Sequence, residues 1–284
     1  MIKLKFKGSG SFPIRSGWFE KTLYVLNENR GKNIFANKSG GYYLGVGANM
    51  VASIRYWLNA AGIYDSKTAE LTSFGSLISE RDKYFENINT WWLIHYNLVS
   101  NLIDCPVFYS VFNKIDEREI GKDDLRKRIK LFLDDYSLSG TKAGYIDDDL
   151  SVFLRSYTVD DSDMEKSPED NTICPLSYLD LVEKENNIIR KNQPVAEKLN
   201  YKVVYYSLIK AFSDRTASDF TIDEALTVDN GPGRVFNLDR YSMLVYIEEM
   251  SKHDLVTFSR TAGLDAVYFN KKKSLEDALK DIFE

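Results

Sequence analysis

Residues 44–63 read LGVGANMVASIRYWLNAAGI, a glycine-rich turn that runs directly into a pattern typical of a helix. As a dinucleotide-binding loop the stretch is incomplete, because Met50 stands where the third glycine of GxGxxG belongs. It also lacks the Lys-Ser/Thr pair of a P-loop. We therefore expect no nucleotide cofactor, and we interpret Gly45 and Gly47 as the tight turn of a helix-turn-helix.

The helix after this turn, predicted over 48–61, has two different faces. A rotation of about 100° per residue places one apolar set together, which we expect to be core: Met50, Val51, Ile54, Trp57, Leu58 and Ala61. The opposite face is small and polar, and consists of Asn49, Ala52, Ser53, Tyr56, Asn59 and Ala60, with Arg55 at its flank. Asn pairs bidentately with adenine and Arg with guanine, and either also binds phosphate. The sequence thus predicts DNA contacts by Asn49, Ser53, Arg55 and Tyr56; the alternative is an amphipathic helix whose outer face contacts only water.

The distribution of charge supports the DNA interpretation. The chain has a net charge of -5, yet residues 1–60 hold nine basic side chains against Glu20 and Glu28. An electropositive end attracts a polyanion whatever the total charge. We assign Arg15 and Lys21, which belong to this basic group, as further DNA contacts; the alternative is that lysine-rich ends are merely solvated.

Periodicity predicts the same order of elements at both ends of the chain. Near the N-terminus, KLKFK at 3–7 alternates like a strand, and helices are predicted over 18–27, 32–38 and 48–61. Gly62 then ends the third helix, and 63–73 reads as two short extended pieces.

The last third repeats this order. A helix is predicted over 201–212, and Thr221 to Glu224 forms a capping box that opens the next helix. A third helix over 238–250 precedes strands at 255–260 and 266–269.

Helices followed by a small hairpin are the order of a winged helix-turn-helix. The predicted fold is therefore mainly α with small β-hairpin wings, with winged helix-turn-helix domains at 1–80 and 195–284 joined by a helical middle domain at 81–185. The acidic segment 160–171 is predicted to be a loop or linker.

Candidate catalytic groups are mostly carboxylates. The two cysteines are far apart and there are only two histidines, so no standard thiolate or imidazole zinc pattern exists. Asp82, Glu86 and Asp170 are candidate catalytic residues and ligands for Mg²⁺ or Mn²⁺, and His95 is a candidate general base. The alternatives are solvated surface acids and a histidine that is hydrogen-bonded within an aromatic core.

The sequence also bears on location. No run of eighteen apolar residues occurs, and the hydrophobicity of the N-terminus alternates. We expect no membrane association and a cytoplasmic protein.

Five strings carry a family resemblance, in this order: SGWFEKTLY at 16–24, the stretch 44–63, LTSFGSLI at 71–78, TWWLIHYNL at 90–98 and EDNTICPL at 169–176. They resemble a bacterial family known as domain of unknown function 4007. The resemblance implies gene clusters for DNA phosphorothioation and phage defence. It implies double-stranded DNA and a sulfurtransferase resembling phosphoadenosine-phosphosulfate reductase as partners.

In single-strand phosphorothioation systems the resemblance further implies a metal-dependent nickase, which cuts DNA before sulfur replaces a non-bridging phosphate oxygen. The sequence lacks a nuclease signature such as HNH or PD-(D/E)xK, and no catalytic set is transferred from the family. Two alternatives remain open: a non-catalytic DNA-binding adaptor that recruits the sulfurtransferase, and a transcriptional regulator.

Overall fold

The chain folds into two compact units, residues 1–191 and 192–284. The computed structural model describes residues 3–136, 142–159, 173–213, 219–261 and 264–284. Each unit is mainly helical and carries small antiparallel sheets. A mainly α fold with small β-hairpins is therefore confirmed, whereas the predicted three-domain boundaries stay a prediction.

The first unit is built mainly from helices. Its helices are α1 (Trp18–Glu28), α2 (Gly40–Leu44), α3 (Ala48–Ala60), α4 (Ser73–Arg81), α5 (Ile88–Val99), α6 (Pro106–Asn113), α7 (Lys122–Asp134) and α8 (Ala143–Tyr157), with 3-10 turns at Ala36–Lys38 and Pro175–Leu179. Its strands are β1 (Tyr64–Asp65), β2 (Glu70–Leu71), β3 (Glu119–Gly121), β4 (Val182–Glu185) and β5 (Ile188–Lys191). β1 and β2 form a hairpin, and the other three pair in the order β3-β5-β4.

The second unit repeats part of this topology. Its helices are α9 (Tyr201–Ala211), α10 (Ile222–Thr227), α11 (Pro232–Val235), α12 (Arg240–Lys252) and α13 (Leu275–Asp281), and its strands are β6 (Asp219–Thr221), β7 (Val256–Thr261) and β8 (Leu264–Phe269). The sheet order is β6-β8-β7. Both units thus contain, in order, a helix, a strand, further helices and a hairpin, with the last strand of the hairpin central in the sheet.

The second helix of the first unit differs from the sequence-based prediction at 32–38. That region holds only a 3-10 turn, and α2 forms at Gly40–Leu44 instead. Gly40 is buried, and a Cβ there would lie 2.4 Å from Val51 Cγ1 of α3. Glycine lowers helix propensity and so hides α2 from the pattern, but it lets the backbone of α2 approach α3 closely.

The prediction of a strand at KLKFK, residues 3–7, is also wrong. The Lys5 N–H donates to the carbonyl of Ile103 at 2.8 Å, and the Lys7 N–H donates to Asp149 Oδ1 at 3.0 Å. Its backbone partners are thus a loop carbonyl and a helix side chain, so no ladder forms.

Two predicted helix ends, at Gly62 and at Thr221, are confirmed. Gly62 has a left-handed conformation with φ 71°, and the Ile63 N–H donates back to the Leu58 carbonyl, which closes α3 as predicted. The capping box of Thr221 and Glu224 is present at α10. The predicted linker at 160–171 lies outside the described residues.

The described helices also bear on membrane insertion. None of them combines the length and the apolar composition that crossing a bilayer requires.

Gly75 of α4 offers a test of the packing between the hairpin and α4. A Cβ at Gly75 would lie 2.0 Å from the carbonyl oxygen of Ile63, which is backbone and has little freedom to move. We expect Gly75→Ala to lower the free energy of unfolding by about 2 kcal/mol or more, as overpacking does. Urea unfolding followed by circular dichroism measures this change.

The matched control is Gly144→Ala in α8, because a Cβ there meets nothing within 4 Å. Alanine is the better helix former, so this variant should be unchanged or more stable by roughly 0.5 kcal/mol. Equal stability of the two variants would contradict the assigned contact.

Candidate nucleic-acid interface

The outward stripe of α3 forms the floor of a groove of about 830 Å³. Its lining residues on α3 recur every three or four positions: Ala48, Val51, Ala52, Arg55, Tyr56 and Asn59. This spacing places them on one side of a helix. The predicted outer face of α3 is therefore only partly right: Ala52, Arg55, Tyr56 and Asn59 line the bottom of a concavity, but so does Val51, which was predicted to be core, and Ala60 is buried.

One flank of the groove is built by Arg55 and the β1–β2 hairpin. The guanidinium donates from Nη2 to the Ser66 carbonyl at 3.2 Å and from Nε to Ser66 Oγ at 3.4 Å, and its carbon lies 5.9 Å from the ring centre of Phe35. Asn59 Oδ1 accepts the Ser66 N–H at 3.2 Å. Arg55 carries five N–H donors, so these two bonds leave others free to contact a ligand in the groove.

The other flank is built by Tyr56, Lys5 and the loop at 103–104. The Tyr56 hydroxyl donates to the carbonyl of Asp104, and a Cβ at Gly8 would collide with the Tyr56 ring at 2.1 Å. Lys5 Nζ pairs with Asp104 Oδ1 at 2.5 Å. Tyr56 was predicted to contact DNA with its hydroxyl; that hydroxyl instead fastens the wall to α3.

The thiol next to this contact is not a nucleophile. Cys105 Sγ lies 3.5 Å from the Tyr56 hydroxyl, and burial raises the pKa of the Cys105 thiol to about 12. Burial, followed by the neighbouring Cys105, raises the pKa of Tyr56 well above its ordinary value. Both groups stay protonated at neutral pH, so their role here is structural.

The start of α3 is exposed to solvent. Ala48 and Asn49 are exposed, and Gly47 at the N-cap supplies no side-chain cap. Lys21 is exposed, and its Nζ lies 3.4 Å from where a Cβ at Gly45 would be. Uncapped backbone amides at the helix start and an exposed ammonium group next to the Gly45 turn suit a phosphate backbone.

Ser53 corrects the helical projection. It is 1% exposed, so it cannot contact DNA from this position. It lies one turn before Tyr56 and Trp57, which contact Gly8 and the Phe12 carbonyl of the N-terminal segment. That segment buries a side of α3 which the projection counted as outer.

Two of the candidate catalytic residues are buried and form hydrogen bonds inside the protein. Asp82 is buried; its Oδ1 accepts the Glu86 N–H at 2.9 Å, and its Oδ2 accepts from Thr90 Oγ1 at 2.6 Å. His95 is fully buried, and its Nδ1 lies 2.6 Å from the Tyr157 hydroxyl. Asp82 thus organises the turn into α5. His95 is hydrogen-bonded within the aromatic core, which is the alternative stated for it above.

Glu86 and Arg15 are brought together, although the sequence assigned them separate roles. Both line a cavity of about 250 Å³ with Glu20 and Tyr84. The Arg15 guanidinium carbon lies 5.4 Å from the Phe12 ring centre and 5.6 Å from that of Trp18. The sequence did not predict that Glu20 and Glu86 line the same cavity, because 66 positions separate them in sequence.

The predicted metal set is not assembled in the described part of the chain. No cluster of three or more His, Cys, Asp or Glu suited to a metal occurs there. Asp82 has its oxygens engaged by protein donors, so it does not fit a metal ligand. Asp170 lies outside the described residues.

Comparisons with known proteins give a family and a fold. A family model described as protein of unknown function (DUF4007) matches residues 6–283. Two crystal structures of a protein named SspB, one of them magnesium ion-bound, are similar, with TM-scores of 0.81 and 0.80. They are 19% and 20% identical, and each match covers 98% of this chain and 86% of that chain. This identity shows a shared fold alone, and a comparison with curated proteins found no match.

Asp149 of α8 holds the N-terminal wall of the groove. It accepts the Lys7 N–H at 3.0 Å, two residues after Lys5. Burial, opposed by that hydrogen bond, raises the pKa of Asp149 to about 6 from an ordinary value of 3.8. The folded chain therefore binds more protons than the unfolded chain between about pH 4 and pH 6, and the contribution of Asp149 to stability falls as pH rises through that window.

Replacement of this carboxylate tests the pH dependence. Asp149→Asn keeps an acceptor for the Lys7 N–H and removes the buried charge, so it should be more stable than wild type at pH 7, by at most about 3 kcal/mol. The gap should close toward pH 4, as urea unfolding at several pH values would show. Asp147→Asn, at an exposed position of the same helix, is the control, and a gap for Asp149→Asn that does not change with pH would refute the assignment.

Proposed function

The chain belongs to the DUF4007 family, and we propose that it is the DNA-binding component of a bacterial DNA phosphorothioation or phage-defence system. The observation that carries the proposal is the α3 surface, where an exposed helix start and a groove edged by polar side chains lie in the first unit, whose N-terminal 60 residues are basic. The setting in phosphorothioation comes from the family resemblance. The sulfurtransferase that this resemblance implies is the proposed protein partner.

The order of elements supports winged helix-turn-helix architecture. In the first unit α1, α2 and α3 precede the β1–β2 hairpin, and in the second unit α9, α10 and α12 precede the β7–β8 hairpin. In such modules the helix before the hairpin carries the DNA contacts. α3 is that helix in the first unit.

The proposed contacts divide into two kinds. Lys21 and the uncapped start of α3 would bind phosphate, which gives affinity without reading sequence. Asn49, exposed at the first turn of α3, is placed to reach a base edge. Arg15 lies in the smaller cavity with Glu86 and stays a predicted DNA contact.

A Mg²⁺-dependent nicking activity is the second candidate function. One of the similar structures is magnesium ion-bound, and Glu20 and Glu86 line one cavity with Arg15. Magnesium is commonly held by one or two carboxylates together with substrate phosphates. Glu20 and Glu86 would hold the ion, which would neutralise phosphate charge, while Arg15 would orient the phosphate.

DNA binding is tested by changing the start of α3. Lys21→Ala combined with Asn49→Ala should weaken binding to a duplex about tenfold or more and reduce the salt slope by about one, since one phosphate contact is lost. Fluorescence anisotropy at several salt concentrations measures both. Lys127→Ala, an exposed lysine of α7, is the charge-matched control. The same affinity for the double variant and wild type would remove α3 from the interface.

Nicking is tested on a supercoiled plasmid with Mg²⁺. The wild-type protein should produce open circles, and Glu86→Gln should reduce the rate at least tenfold with unchanged DNA affinity, because the amide keeps the size of the side chain and loses its charge. Glu183→Gln, an exposed carboxylate of β4, is the control. A folded preparation that binds DNA and makes no open circles would reject the activity.

A further inference from the structure

The groove over α3 differs from the surface that a duplex-reading helix presents. The major groove of B-DNA is about 12 Å wide and 8.5 Å deep, so a helix that enters it must project beyond its neighbours. Here Ala48 and Asn49 at the start of α3 are exposed, whereas the stripe from Val51 to Asn59 forms a floor between two flanks. A concave floor of this kind suits a thinner ligand better than the convex surface of a paired duplex.

We propose that this groove holds an unpaired DNA strand, while paired DNA contacts the exposed start of α3. The inference rests on the proposed DNA-binding function and names the form of DNA that this site takes. A single strand is slim enough to lie along the floor, which extends over about 16 Å from Ala48 to Asn59 at 1.5 Å per residue.

The surfaces inside the groove match the two sides of a nucleobase. Ala48, Val51 and Ala52 make an apolar floor for the flat face of a base. Ile103, 44% exposed on one rim, extends it, and the largely buried Phe35 lies beneath Arg55 on the other flank. Contact of bases with apolar and aromatic side chains tolerates any sequence, because each base has the same kind of face.

Polar groups line the edges of this floor. The remaining N–H donors of Arg55 and the amide group of Asn59 face one flank, where Ser66 fixes both side chains in place. Lys67 is exposed at the tip of the hairpin and supplies an ammonium group for phosphate. Donors held beforehand lose little freedom on binding, which favours affinity.

Charge favours a nucleic acid over a peptide. Three basic and two acidic side chains line the groove, which gives the lining a net charge of +1. Asp104 is paired with Lys5, whereas Asp65 accepts the Lys67 N–H at 2.7 Å and keeps its negative charge. The excess cation favours an anionic ligand such as a nucleic acid strand.

The experiment fills the groove without touching its donors. Ala52 is exposed at the centre of the floor, so Ala52→Phe blocks the groove and disturbs no internal contact. Ser76→Phe adds the same ring to the exposed face of α4 and is the matched control. Anisotropy is measured at one salt concentration with three labelled oligonucleotides of equal length: a single strand, a full duplex, and a duplex with a central unpaired segment.

The wild type should bind both DNAs with unpaired nucleotides at least tenfold more tightly than the full duplex. Ala52→Phe should remove that preference and leave duplex affinity within twofold, and Ser76→Phe should change neither. Equal wild-type affinity for all three DNAs, or a preference that survives Ala52→Phe, overturns the inference while the proposed duplex binding stands. A wild-type protein that binds none of the three overturns both, and circular dichroism of each variant excludes misfolding as the cause of a loss.

Discussion

The burial of Trp57 is the contact on which the candidate interface depends. The indole is 1% exposed, its Nε1 donates to the Phe12 carbonyl at 3.0 Å, and its ring meets Phe108 edge-on at 5.6 Å. One side chain thus joins α3, α6 and the N-terminal segment. A large aromatic ring with its N–H satisfied contributes more to a core than any other single residue. Because it sets the rotation of α3, it also decides which residues form the floor of the groove.

The walls follow from that rotation. Arg55 and Tyr56 are adjacent in sequence, but 100° of helical rotation sends them to opposite flanks, where one binds Ser66 and the other binds Asp104. The protein thereby uses part of the hydrogen-bonding capacity of its own outer face to build a concave site. Fewer side chains of α3 can therefore contact a ligand than an isolated helix would offer. They are the amide group of Asn59, some N–H donors of Arg55, and the small residues between them.

The sequence predicted helix ends correctly where a residue type, such as glycine at a left-handed position or threonine at an N-cap, has one well-defined structural role. Gly62 ends α3 in the left-handed conformation, and Thr221 with Glu224 caps α10. Long-range contacts were not accessible in this way. Ser53 is buried although the projection placed it outside, Tyr56 contacts a segment more than forty residues earlier, and α2 is hidden because Gly40 serves packing against Val51 instead of helix propensity. The β3-β5-β4 sheet was missed because strands of three or four residues are too short to show a period. Of the candidate site, the sequence predicted part of the face of α3 and the extended pieces of the hairpin beside it, but the opposite wall of the groove comes from residues 5 and 103–104, which no local pattern links to α3.

The second unit shows that element order alone does not decide what a helix binds. α12 precedes a hairpin just as α3 does, yet its outward face carries Tyr241, 77% exposed, and Val245, 45% exposed. Arg240 at its start is paired with Asp223 and Asp265, so its charge is already neutralised within the unit. An exposed aromatic and a valine beside paired cations do not make the electropositive surface that attracts phosphate. A helix before a hairpin therefore presents a different surface in each unit, and the basic groups near α3 are the reason that the proposed nucleic-acid contacts are assigned to the first unit.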